Sequence, residues 1–193
     1  MTFVVIDEEE LVRERPKAIR RFLLPLAMKP AVACDSPRTL VEGGRVFAAH
    51  DGQVAGKEYR DWRFTSKHRN ILCQYFELWR PIDRHRKWFL DRAYLNLFLT
   101  DRTLRQQREF LSVHSDPNNT DPMPVQTFKR GPHLHVKHLE EPLPHAHFPM
   151  TIGYVDKVVH SAPELTRVLE EVVSLLSIEV VGRFEKAAGR TSM

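Results

Sequence analysis

A chain of 193 residues, 42% hydrophobic and 28% charged, reads as globular and long enough to bury one core, with no repeat or low-complexity tract. No apolar run reaches the ~18 residues of a membrane span, and the start, MTFVVIDEEE, is acidic where a secretory signal is basic, so a cytoplasmic protein is expected. The net charge of +4 is uneven: Arg60, Arg63, Lys67, His68 and Arg69 form one basic cluster, Arg80, Arg84, His85, Arg86 and Lys87 a second, and Arg102, Arg105 and Arg108 a third. RNA or another polyanion fits such a distribution, as does a plain solvated basic surface.

In chain order, Asp7 followed by Glu8, Glu9 and Glu10 reads as a helix start, with a capping carboxylate and negative charge at the positive end of the dipole. Pro16 restarts that helix, Ile19, Phe22, Leu23 and Leu26 recur at helical spacing, and Pro25 and Pro30 end it. Residues 1–35 are thus expected to be a helical N-terminal appendage on a single α+β domain spanning 1–193. Strands near 39–42 and 45–49 are expected to form a hairpin across Glu42-Gly43-Gly44. ILCQYFELW (71–79), KWFLDRAYLNLFL (87–99) and REFLSVH (108–114) read as further strands. In the second of these, alternation puts Trp88, Leu90, Tyr94 and Phe98 on one face and Leu95, Leu97 and Leu99 on the other. The aromatic residues of these strands are expected to pack in the core, although exposed rings would stack on bases. SDPNNTDPMP (115–124) is a loop. Ser161 and Glu164 make a capping box, and Leu165, Val168, Leu169, Val172, Leu175 and Leu176 give the closing helix, 161–186, an apolar stripe. Gly182 would end or kink it. The fold expected is α+β: one or more N-terminal helices, an antiparallel sheet of five or six strands, and a C-terminal amphipathic helix packed on it.

Chemistry concentrates between these elements. Seven of the ten histidines lie from His114 to His160, five of them in FKRGPHLHVKHLEEPLPHAHFPM (128–150). Side chains alternate along a strand, so each His-x-His pair, His133/His135 and His145/His147, presents both imidazoles to one face. An antiparallel return through Glu140-Glu141-Pro142-Leu143-Pro144 would bring all four to one patch. Imidazole is a common transition-metal ligand, so His133, His135, His145 and His147 are candidates for holding a divalent transition metal such as zinc or manganese. The same residues, with His114 and Asp116, are candidate catalytic acid/base groups, and Lys129 and Arg130 candidate phosphate-binding groups. Histidines satisfied by hydrogen bonds on a half-exposed sheet remain an alternative. Cys34 and Cys73 have no Cys-x-x-Cys spacing and read as core thiols in a reducing compartment.

Short motif matches break down residue by residue. His133-x-His135 is followed by Lys137 where a histidine-triad hydrolase needs a third alternating histidine. Arg63 to His68 has the Arg-x4-His spacing of helical ribonucleases, but in a chain that reads as sheet.

The run from about Tyr94 to Leu176 resembles the TumE-like family of small bacterial toxin–antitoxin proteins. It has a YLNLFL strand, then REFLSVHSDPNN, then GPHLHV and a closing acidic helix, SAPELTRVLEEVVSLL. The resemblance implies a growth-inhibiting protein that works beside an antitoxin, plausibly on RNA, and points to His114, Asp116, His133 and His135. The expected function is phosphodiester cleavage, most simply of RNA, by a metal-dependent or acid/base histidine site. A non-catalytic binding module or accessory subunit that meets a protein or nucleic-acid partner is the alternative.

Overall fold

The structure, a computed structural model, describes residues 4–28, 32–34, 37–40, 43–52, 58–82, 86–101, 106–117, 132–137, 145–150 and 161–184. Ten strands join one sheet: β1 (Val5–Asp7), β2 (Ala33–Cys34), β3 (Arg38–Thr39), β4 (Arg45–His50), β5 (Phe64–Thr65), β6 (Ile71–Ile82), β7 (Lys87–Asp101), β8 (Gln106–Ser115), β9 (His133–Lys137) and β10 (His145–Pro149). The spine runs β10-β9-β8-β7-β6-β4-β2, and every pairing is antiparallel. Six strands of five or more residues are the meander expected from the sequence; the four short ones pair at its ends and edges. The 39–49 hairpin forms with its arms at β3 and β4. Gly43 takes φ +77° in its turn, a conformation glycine reaches without Cβ strain.

Two helical segments cover one face. A π-helical turn, Glu10–Glu14, leads into α1 (Arg15–Leu23), and α2 (Ala162–Leu175) continues through a π-helical stretch, Leu176–Val181. Both expected caps are in place: Asp7 Oδ1 accepts from the Glu10 N–H at 2.8 Å, and Ser161 Oγ from the Glu164 N–H at 3.3 Å. Ile19, Phe22 and Leu23 of α1 and Leu165, Leu169, Val172 and Val173 of α2 share one core cluster with Tyr75 and Trp79 of β6, Leu95 and Leu97 of β7, and Val113 of β8.

Four details depart from the sequence reading. Residues 1–35 are not an appendage: β1 pairs with β7, and Val4, Ile6 and Leu11 are buried in the common core. The β7 faces switch, because a bulge between β6 and β7 at Leu78/Trp79 pairs Arg92 with Leu78 but Leu90 with Trp79. An extra residue in one strand inverts the alternation beyond it, so Trp88 and Leu90 join Leu95 and Leu97 in the core, leaving Tyr94 on the other face. On α2, Val173 is fully buried while Leu175 is 43% exposed. Gly182 keeps right-handed helical angles, φ −66°, so the helix does not end there.

Candidate metal centre

The sheet face opposite the helices carries the histidines, and strand register decides which of them meet. Phe76 of β6, Tyr94 of β7, His114 of β8 and His133 of β9 are successive cross-strand partners, forming one row. Gln74, Asn96, Ser112 and His135 form the adjacent row, which the pairing of His135 with His147 extends onto β10. Paired residues in antiparallel strands share a face with Cβ atoms about 4.5–5.5 Å apart, so histidines in one row or adjacent rows must crowd. His114 and His135 have ring centroids 4.0 Å apart, His133 and His135 4.7 Å, and His114 and His133 5.8 Å. One nitrogen from each of the three lies within 4.8 Å of the others. His133 is fully buried and His135 is 8% exposed, so the cluster sits below the surface.

Two neighbours shape it. Tyr94 stacks flat on His114, with centroids 3.8 Å apart and planes at 13°. Its hydroxyl donates to Asp116 Oδ1 at 2.7 Å, and Asp116 Oδ2 lies 3.9 Å from His133 Nε2. Burial, followed by the Asp116 carboxylate, pushes the Tyr94 hydroxyl well above its ordinary pKa, so near neutral pH it stays protonated and able to donate. Tyr94 therefore fixes both a ring and a carboxylate at the cluster. Lys137, two residues beyond His135 on the same face, pairs with Glu109 at 3.0 Å.

Beyond His114 the row opens into a groove of about 880 Å³ whose lining includes Tyr59, Arg60, Gln74, Phe76, Arg92, Tyr94, Asn96 and Lys137. Of the site residues expected from the sequence, the fold brings together His133, His135, His114 and Asp116. Among the described side chains the third nitrogen comes from His114, which the sequence reading had completing the shell, while the side chains of His145 and His147 lie outside the described ones. His145 and His147 are placed by the backbone of β10 opposite Lys137 and His135. Lys129, Arg130, Glu140 and Glu141 lie outside the described residues. The reading from sequence missed Tyr94, assigning it to the core. Strand pattern alone does not set Tyr94 opposite His114, because a bulge between Leu97 and Phe98 shifts the β7–β8 register. The Arg63–His68 segment is turn and strand, and the Arg63 guanidinium lies 4.5 Å from the centre of the Phe98 ring. Cys34 and Cys73 are both buried; burial pushes the Cys73 thiol up, which suits an inert core residue.

Three imidazoles at this separation are able to bind a divalent transition metal. No helix among the described residues is long and apolar enough to cross a membrane. Comparison with protein-family models, with curated proteins and with solved structures found no match for the chain.

Proposed function

We propose that the protein is a metal-dependent phosphodiester hydrolase acting on RNA, with His114, His133 and His135 as the metal ligands. The observation that carries this reading is the convergence of three ligand nitrogens within 4.8 Å beside a carboxylate held by Tyr94. A divalent transition metal would be held by the ring nitrogens of His114, His133 and His135. Zinc or manganese at such a site polarises a phosphoryl oxygen and lowers the pKa of its bound water toward neutrality. Asp116 is placed to orient His133 or accept a proton from the attacking water, and Tyr94 holds it there. Lys129 and Arg130, just upstream of β9 in sequence, are candidates for holding the phosphate. The likeness of residues 94–176 to TumE-like proteins supplies a biological setting, a growth-inhibiting ribonuclease restrained by a partner protein.

The test is metal content of tag-free protein by mass spectrometry, followed by cleavage of labelled RNA after loading with Zn²⁺ or Mn²⁺. About one metal per chain with metal-dependent cleavage is expected, both lost in a His133→Ala/His135→Ala variant whose circular dichroism is unchanged. A wild-type protein that takes up no metal, or a double variant that still cleaves, refutes the proposal.

A further inference from the structure

The groove that leads away from His114 is floored and walled mostly by residues outside the histidine cluster. Tyr59 and Phe76 rings lie 6.0 Å apart, Phe76 and Tyr94 5.2 Å, and Tyr94 rests on His114, so aromatic rings run without a break to the histidine cluster. Phe76 and Tyr94 are half-buried, although both sit on strands whose other face is core. Along the same groove lie the cations Arg60, Arg80, Arg92 and Lys137 against only two carboxylates, Glu58 and Glu109, among the described residues. The Asp91 carboxylate lies 3.3 Å from Arg80 Nε and 3.2 Å from Arg92 Nη2.

Its floor also offers a defined acceptor. Gln74 Nε2 donates to the Arg60 carbonyl, which fixes that side chain's orientation and turns Oε1 toward Asn96. Asn96 Nδ2 donates to it at 2.9 Å, and Asn96 Oδ1 remains, beside the hydroxyl of its cross-strand partner Ser112, which also makes no hydrogen bond among the described residues. Asn96 is only 8% exposed, and this buried oxygen accepts no hydrogen bond among the described residues. A buried amide oxygen left in that state is costly unless a ligand donor reaches it.

We infer that this groove binds single-stranded nucleic acid, with unpaired bases against Tyr59 and Phe76 and the backbone along Arg60 and Arg92. Asn96 Oδ1 accepts from a base amine or imino N–H. Aromatic faces stack on any base, and cations tracking the backbone add affinity that does not depend on sequence. The orphaned acceptor argues for unpaired bases in particular, because a duplex has already committed its Watson–Crick N–H groups. This inference rests on the reading of the histidine cluster as a phosphodiester-cleaving site, whose scissile bond the groove would deliver to His114.

The measurement is fluorescence anisotropy of a labelled ten-nucleotide single-stranded RNA, with the full-length protein held in EDTA so that the probe is not cut. The same strand annealed to its complement serves as competitor. Single-stranded RNA is expected to bind at least about tenfold more tightly than the duplex. Phe76→Leu and Tyr59→Leu are each expected to weaken binding by about tenfold, the range for loss of one stacked base. Arg92→Gln should lower the slope of log affinity against log salt by about 0.7. If Phe76→Leu does not fold, Tyr59→Leu at the exposed end of the ring series decides. Equal affinity for single strand and duplex, or affinity unchanged in both ring variants, overturns the inference. Metal content and His133→Ala/His135→Ala cleavage report separately on the histidine site, so failure of either reading is recognised on its own.

Discussion

Replacing Glu77 by Gln tests the most demanding piece of physics in the core. Glu77 sits on β6 facing the helices with its side chain 0% exposed, and Arg15 of α1 pairs with it at 2% exposure. Arg15 Nε donates to both carboxylate oxygens, at 3.1 and 2.8 Å, and Nη2 donates to Oε1 at 2.6 Å. Tyr75 Oη also donates to Oε1, Trp79 Nε1 donates to Oε2 at 2.9 Å, and Arg15 Nη1 reaches Thr166 Oγ1 of α2 at 2.6 Å. Burial acts to lower the Arg15 pKa, but the charge and hydrogen bonds of Glu77 outweigh it and hold the guanidinium above its ordinary range. A guanidinium does not shed its proton, so Glu77→Gln strands a buried cation, and the new amide NH₂ meets a donor at either oxygen position. Breaking a buried pair from one side costs about 3–5 kcal/mol. For a chain of this size that lowers the melting temperature by about 6–20 °C. Urea unfolding followed by the fluorescence of buried Trp62 and Trp79 measures it. Adding Arg15→Met removes the stranded charge, so the double variant should recover about 1–3 kcal/mol relative to the sum of the single losses. A loss under about 1 kcal/mol for Glu77→Gln, or simple additivity, refutes the account of a dry, charge-paired network.

Other expectations follow from the same geometry. Tyr94→Phe keeps the ring on His114 but removes the hydroxyl from Asp116; it should cost about 1–2 kcal/mol of stability and reduce metal-dependent cleavage more than RNA binding. Ser161→Ala removes the α2 cap and should destabilise the protein by about 1 kcal/mol in urea unfolding, with metal content unchanged. Gly43→Ala should cost about 1–2 kcal/mol although open space surrounds the new methyl, because the strain lies in φ +77° and not in packing. A Gly43→Asn variant, which tolerates that region better, should recover part of it.

Much of this protein was legible without tertiary information. The strand meander, the two capped helices and the His-x-His pair on one face all follow from local periodicity, turn chemistry and side-chain alternation. These are properties of neighbouring residues, so the chain states them outright. What the sequence could not say was how strands lie beside one another. His114 is nineteen positions before His133, and only the β8–β9 register sets them opposite each other and makes His114 the third nitrogen of the cluster. Tyr94 looked like one more core aromatic until the β6–β7 bulge separated its face from that of Trp88 and Leu90, since a single inserted residue inverts alternation and leaves composition untouched. Glu77 lies within the 71–79 strand, and its partner lies 62 residues away on a helix. Local pattern determined the elements and one face of chemistry. Cross-strand register and long-range charge pairing, which depend on contacts between distant segments, decided which side chains form the site and the core network.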